Sequence, residues 1–208
     1  MLNHKKVSER PEPLLRVILV ISIAQQILLY GSCIAEGFNW AEGLPLHISR
    51  ISSLLGIAWL IRRNKKIMDV LFFFGLFAYA SLFYPSRVHP ITHPIGWIFL
   101  INHIITILLP ILAVYATNWR PTKEALFRAM KSFLVYLAAA MFTNKLTNGN
   151  YFYMTQRIAF DDIPLWQYTI LSILMTYVIF TFGYLLGSLL IRAYRRKNPA
   201  TMQAYRQI

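Results

Sequence analysis

Six apolar stretches follow one another along this chain, each long enough to be compared with the width of a membrane. A helix that crosses the hydrocarbon core needs about 20 mainly apolar residues. The sequence is 57% hydrophobic, above the roughly 45–50% of soluble domains. We therefore predict an all-α, polytopic membrane protein that forms one transmembrane domain over residues 1–208. The six predicted spans are Leu14–Ile34, Leu44–Ile61, Ile67–Tyr84, Ile95–Thr117, Glu124–Thr143 and Pro164–Tyr194.

The basic residues between these stretches are distributed asymmetrically. When the spans are threaded in order, seventeen of the 21 lysines and arginines fall on one side. This side is predicted to be the cytoplasmic face of the cell membrane and to carry both termini, because cytoplasmic loops are rich in lysine and arginine. The net charge of +13 is thus explained by topology, and we expect no nucleic-acid partner. The seventeen residues are Lys5, Lys6, Arg10, Arg16, Arg62, Arg63, Lys65, Lys66, Arg120, Lys123, Arg128, Lys131, Arg192, Arg195, Arg196, Lys197 and Arg206.

Metal and cofactor chemistry has no signal in the sequence. Cys33 is the single cysteine, and the chain has neither a C-x-x-C motif nor a cluster of cysteine and histidine at ligand spacing. We therefore predict no metal site and no cofactor.

Arg50 is the most unusual residue of the spans, because a positive charge inside a membrane is costly. The cost is about 2.5–3.5 kcal/mol at the bilayer centre and falls toward the interface. The second span is predicted to begin as a helix at Pro45, since proline suits a first turn. His47 and Arg50 would then share one face of its first two turns, on the outer side.

The partner of Arg50 remains open at this stage. One alternative is a carboxylate that folds back from an outer loop, supplied by Asp161, Asp162 or Glu42. A second is an anion from outside the chain, most plainly a lipid phosphate, which a guanidinium binds through two parallel hydrogen bonds. A third is a side chain that simply reaches up to water. Membrane lipids are the expected partners, with a phospholipid head group near Arg50.

Further polar residues occur at a similar depth on two other elements. Asn102 and His103 lie in the fourth span, about 11 to 12 Å from its outer end at 1.5 Å per helical residue. The fifth span ends outside, and its polar residues there are candidates for substrate binding together with Arg50 and Asn102. These residues are Asn144, Asn148, Asn150 and Tyr151.

Each candidate catalytic residue also has a packing interpretation. His47 and His103 suit a general base and its partner, or two polar residues between helices. Ser49 suits a nucleophile if a base lies beside it, or a small residue at which helices approach closely. Gly183 and Gly187 have the spacing of helix association in the sixth span, and we expect helix-mediated contacts there.

The fourth span also contains a proline. His103, Thr106 and Pro110 fall on one face, and Pro110 cannot donate to the carbonyl of Thr106. The pattern fits a kinked helix that opens a polar pocket, and it equally fits an ordinary tolerated proline of a transmembrane helix.

Three short motifs together resemble a protein family. They are Leu44-Pro45-Leu46-His47 in the second span, Asn102-His103 in the fourth, and Asn148-Gly149-Asn150-Tyr151-Phe152-Tyr153 with the preceding Asn144 after the fifth. The combination is similar to the YwaF-type bacterial integral membrane proteins, which are distantly similar to an animal transmembrane protein implicated in moving fatty acyl chains between phospholipids. The resemblance covers about residues 14–194.

The resemblance implies which residues matter. The shared polar positions of the family correspond here to His47, His103, Asn148, Asn150 and Tyr151. A cysteine often stands two residues after the motif histidine in that family, and this sequence has Ser49 there.

Two classes of function are therefore predicted. The first is an outward-facing, lipid-modifying membrane acyltransferase, which moves an acyl chain to or from a phospholipid or a lipid-anchored acceptor. The alternative is a non-enzymatic protein, either a binding or transport subunit for an anionic amphiphile or a structural partner in the membrane.

Overall fold

Helix makes up 82% of the computed structural model, which describes residues 11–84, 90, 92–157 and 159–197. These residues contain no strand, which confirms the prediction of an all-α, polytopic membrane protein. Lys5, Lys6, Arg10 and Arg206, which entered the prediction of orientation, lie outside the described residues. The elements are α1 (Pro11–Ala35), α2 (Trp40–Gly43), α3 (Ile48–Arg62), α4 (Lys65–Phe83), α5 (Pro94–Thr117), α6 (Lys123–Thr147), a short 3-10 turn (Tyr151–Tyr153) and α7 (Leu165–Lys197).

Helix α3 differs from its prediction. It has 15 residues, about 22 Å at 1.5 Å per residue, whereas a hydrocarbon core is about 30 Å thick. The five other long helices have the length and composition to cross a membrane. Helix α3 begins at Ile48, and His47 is its N-cap, so the prediction that Pro45 lies in the first helical turn is wrong.

Distant side chains explain why residues 44–47 are not helical. The N–H of Leu44 donates to the Tyr151 hydroxyl at 3.1 Å, and the Tyr136 hydroxyl donates to the carbonyl of Leu46 at 3.0 Å. Pro45 has no N–H to give. Backbone polar groups away from water need partners, and here side chains 107 and 90 residues away supply them in place of helical hydrogen bonds.

Helix α4 is the centre of the bundle, because α3, α5, α6 and α7 all pack against it. Its face carries Phe73, Phe74 and Phe77, which meet Phe133 of α6 and Phe180 of α7 with ring centroids 5.2 to 6.5 Å apart. Such aromatic pairs add about 0.5–1.5 kcal/mol each beyond burial. Since lipid gives helices little hydrophobic reason to associate, these ring contacts are a main source of cohesion.

Asp69 joins three elements at one end of the bundle. Its Oδ1 accepts from the Trp119 indole at 2.8 Å, and its Oδ2 accepts from Arg128 at 3.1 Å. We call this end, which includes the turn between α3 and α4 and the C-terminus of α7, the basic end. The opposite end, formed around α2 and the 3-10 turn, is the α2 end.

Gly183 and Gly187 bring α7 close to α4 within the chain. A Cβ on Gly183 would come 2.4 Å from Leu76 Cδ1, and one on Gly187 would come 3.2 Å from Phe72 Cζ. The small residues predicted from the sequence therefore serve a contact inside the molecule. Association with a second molecule through this face stays a prediction.

Candidate functional site

Glu42, His47 and Arg50 come together where α2 leads into α3. The single turn of α2 begins because the Asn39 side chain caps it, accepting from the N–H of Ala41 at 2.9 Å. His47 Nε2 lies 3.4 Å from Glu42 Oε2, and the two side chains are 31% and 57% exposed. A carboxylate at this distance orients an imidazole, and the exposed fractions leave the pair accessible from outside the protein.

The Arg50 guanidinium lies against the C-terminal end of α2. Its Nη1 donates to the carbonyl of Glu42 at 2.6 Å and to that of Leu44 at 3.1 Å. The carbonyls at a helix end are partially negative and lack helical partners. The Tyr30 ring of α1 lies on another side, with its centroid 5.9 Å from the guanidinium carbon. Both backbone bonds use one nitrogen, Nη1, so the N–H groups of Nη2 and Nε are not engaged in these two bonds.

Among the alternatives for Arg50, the two loop aspartates can be set aside. Asp161 and Asp162 are exposed, and no ion pair joins either of them to Arg50 in the described residues. Their loop is shaped instead by Arg157, which donates to the carbonyls of Phe160 and Ile163. The half-buried Arg50 side chain does not simply extend to water either, because backbone carbonyls hold it. An external anion stays a prediction.

Tyr151, which follows α6, is hydrogen-bonded to both ends of the segment 40–44 that contains α2. Its fully buried side chain donates to the carbonyl of Trp40 at 2.9 Å and accepts from the N–H of Leu44 at 3.1 Å. The His47 ring packs on it at 4.9 Å between centroids. Asn144 fixes the Tyr151 backbone on both sides, with hydrogen bonds of 2.9 and 2.7 Å. Burial raises the pKa of Tyr151, and its bond to Leu44 and the nearby Arg50 partly oppose this rise.

The remaining asparagines shape the loop after α6. Asn148 ends the helix in the left-handed region at φ 55°, a position that asparagine tolerates. Gly149 lets the loop approach α2, since a Cβ there would come 2.7 Å from the carbonyl oxygen of Ala41. Asn150 Oδ1 accepts from two N–H groups further along the loop, at 3.0 and 2.9 Å. The amide groups of Asn144 and Asn150 are therefore engaged in positioning the site.

Helix α5 has three buried polar residues, and two of them, Asn102 and His103, are candidates for the site. Asn102 donates to the carbonyl of Ser49 at 3.2 Å, which ties α5 to the first turn of α3. His103 Nδ1 lies 2.7 Å from the carbonyl of Phe99, and since a carbonyl only accepts, Nδ1 carries the proton. Its Nε2 is buried without a hydrogen-bond partner among the described residues. Within the same residues, no hydrogen bond links the Ser49 hydroxyl to either histidine.

A comparison with family models matches residues 3–186 of the chain to the TMEM164 family. The chain belongs to the TMEM164 family. A relative from Treponema pallidum (strain Nichols), described as an uncharacterized protein, is 22% identical over 141 residues. The match covers 67% of this chain and 58% of the relative's length. No solved structure matches the chain.

Family membership agrees with a multi-pass membrane protein. Membership of this family does not test the more specific resemblance to YwaF-type proteins or to an acyl-transferring relative. Both resemblances stay predictions. In this TMEM164 family chain, His47, Arg50 and Tyr151 form one cluster at the α2 end, and Asn144 supports it. Among the described residues, no hydrogen bond or ring pair joins His103 to that cluster.

Sequence reasoning missed a buried polar group between α1 and α3. Gln26 donates to the Ser53 hydroxyl at 2.8 Å and to the Gln25 side chain at 2.9 Å, and all three residues are buried. Two consecutive glutamines inside an apolar span were the available signal. Glu42 was considered only as a partner of Arg50, and its contact with His47 depends on the turn at residues 44–47.

Proposed function

We propose that this TMEM164 family member is a lipid-modifying membrane protein that transfers an acyl chain to or from a phospholipid or a lipid-anchored acceptor at its α2 end. The observation that carries the proposal is the Glu42–His47 pair, 3.4 Å apart, in one cluster with Tyr151 and Arg50. The cluster lies at the α2 end, where the side chains of Glu42 and His47 are partly exposed.

His47 is the proposed general base. Its Nε2 faces Glu42, which leaves Nδ1 for the acceptor. The acceptor's hydroxyl or amine gives its proton to Nδ1 while its oxygen or nitrogen bonds to the acyl carbonyl carbon. The same proton then passes to the glycerol oxygen as the ester C–O bond breaks. Direct transfer suits the site better than an acyl-Ser49 intermediate, because no base is hydrogen-bonded to that hydroxyl in the described residues.

Arg50 is the proposed phosphate-binding residue. Its guanidinium is already held against the end of α2 by two carbonyls, so little side-chain freedom remains to be lost on binding. The N–H donors on its other nitrogens match phosphate oxygens. Asn144 and Tyr151 act as positioning residues, because they fix the segment that carries His47 and Arg50.

Complementation of a deletion strain tests the proposal, with lipids and lipoproteins profiled by mass spectrometry. We expect His47→Ala to abolish the change in acyl composition that the wild-type protein restores. Glu42→Gln should lower it by about 10- to 100-fold, the usual effect of losing a group that orients a functional histidine. Glu36→Gln is the matched control, since Glu36 is an exposed carboxylate on the same connection. The amount of each variant in the membrane is measured alongside.

Identical lipid and lipoprotein profiles in the deletion and wild-type strains would overturn acyl transfer. A chemically unchanged phospholipid that the purified protein binds in a fixed ratio would favour the binding of an anionic amphiphile at the α2 end only if Arg50→Gln releases it and His47→Ala retains it.

A further inference from the structure

An apolar groove opens on the side of the bundle between α4, α5 and α7. Its volume is about 300 Å³, and it lies away from the α2-end cluster. Pro110 lines it, as does Thr106, whose carbonyl loses its helical partner because proline has no N–H. Gly75 on α4 permits a close approach, since a Cβ there would come 3.1 Å from Thr106 Cγ2. The groove has the apolar lining that an acyl chain needs.

A second cavity, of about 340 Å³, lies next to this groove at the basic end. Ile191 of α7 lines both cavities. The second cavity has four cationic side chains and one carboxylate, that of Glu124, so its lining is strongly positive. The four cations are Arg120, Lys123, Arg192 and Arg195.

Arg195 gives this cavity a cation that is held in place. Its Nη2 donates to Asn118 Oδ1 at 2.6 Å, which anchors the guanidinium. Its Nε is buried and has no hydrogen-bond partner among the described residues. Helix α6 also begins at this cavity, with Thr122 as its N-cap, and a helix N-terminus favours negative charge.

We propose that the groove and the basic cavity together bind one anionic phospholipid. An acyl chain lies along α5 and α7, and the phosphate lies among Arg120, Arg192 and Arg195. A lipid fits better than free phosphate, because the apolar groove beside the basic cavity can hold an acyl chain. The excess of cations favours an anionic lipid over a zwitterionic one, whose own cationic group they repel. The proposal is independent of acyl transfer at the α2 end.

The direct test is lipid-dependent thermal stability of the full-length protein in detergent. Binding to the folded state raises Tm, and above Kd the rise follows the logarithm of the lipid concentration. We expect phosphatidylglycerol to raise Tm in this concentration-dependent way, and phosphatidylcholine and inorganic phosphate to leave it unchanged at the same concentrations. An equal shift with phosphatidylcholine would overturn the choice of an anionic lipid. An equal shift with inorganic phosphate would overturn the lipid site.

Charge variants locate the head group. Arg120→Gln with Arg192→Gln removes two exposed cations of the cavity. Loss of charge-assisted hydrogen bonds should weaken phosphatidylglycerol binding about tenfold. Arg196→Gln with Lys197→Gln is the matched control, because it removes the same charge from the last turn of α7 outside the cavity. If both double variants weaken phosphatidylglycerol binding equally, the lipid is attracted by the positive charge of this end in general. That result would overturn the proposed site.

Groove variants locate the acyl chain. Leu190→Trp fills the groove at an exposed position, where Leu190 is 60% exposed. Leu189→Trp is the control, since Leu189 is 61% exposed and does not line the groove. Native mass spectrometry should show the phospholipid retained by Leu189→Trp and lost from Leu190→Trp. Retention by both variants would overturn the placement of the chain.

Discussion

At the scale of single residues, the Tyr151 hydroxyl is the contact that shapes the candidate site. It bonds Leu44 and Trp40, on the segment that leads to His47. Tyr151→Phe should lower the free energy of unfolding by about 1–2 kcal/mol, the worth of a hydrogen bond whose buried partner is left unpaired. Tyr153→Phe is the control, because no hydrogen bond of its hydroxyl occurs in the described residues. Unfolding in denaturant, monitored in detergent, measures the difference, and equal values would contradict this role.

Asn144 has a larger effect at the same scale, because both ends of its amide are bonded to the Tyr151 backbone in a buried place. Asn144→Ala leaves a buried N–H and a buried carbonyl unpaired, and each costs about 1–3 kcal/mol. We therefore expect a loss of about 2–6 kcal/mol from the two groups together. Asn64→Ala, at the exposed N-cap of α4, should cost about 1 kcal/mol. A smaller loss for Asn144→Ala than for Asn64→Ala would argue against a positioning role.

At the scale of elements, the contact between α4 and α7 is set by side-chain size. Gly183→Leu would overlap Leu76 and should destabilise the fold by about 1–3 kcal/mol through overpacking. Adding Leu76→Ala should recover much of the lost stability, because it removes the side chain that the new leucine overlaps. Gly31→Leu, on α1, should be tolerated, because nothing lies within 4 Å of a Cβ there. If Gly183→Leu instead leaves stability unchanged and converts a dimer to a monomer in light scattering, the face serves association between molecules.

At the scale of the whole molecule, the orientation in the membrane is the open prediction. In a Cys33→Ser background, Lys66→Cys places a thiol at the basic end and Asp162→Cys places one before α7, and both sites are exposed. The positive-inside pattern predicts that a membrane-impermeant maleimide labels only Asp162→Cys in intact cells. Permeabilised cells, in which both variants should react, provide the control. Labelling of Lys66→Cys alone in intact cells would reverse the predicted orientation.

The sequence by itself determined the helical membrane class and the approximate positions of the long helices. Both follow from local properties, namely the length of apolar stretches and the charges between them. It also singled out His47 and Arg50, because polar groups in an apolar span stand out without any knowledge of contacts, and Asn144 and Tyr151, because they follow the outer end of the fifth span and belong to a motif of the family resemblance.

Only the tertiary structure decided what those residues contact. Helix α3 starts late because hydroxyls on distant parts of the chain bond to residues 44–46, and no local pattern contains that information. The same turn brings Glu42 to His47 and places Arg50 on backbone carbonyls. Membrane insertion depends on properties summed along a segment, whereas a site depends on hydrogen bonds between segments, and these exist only once the helices have packed.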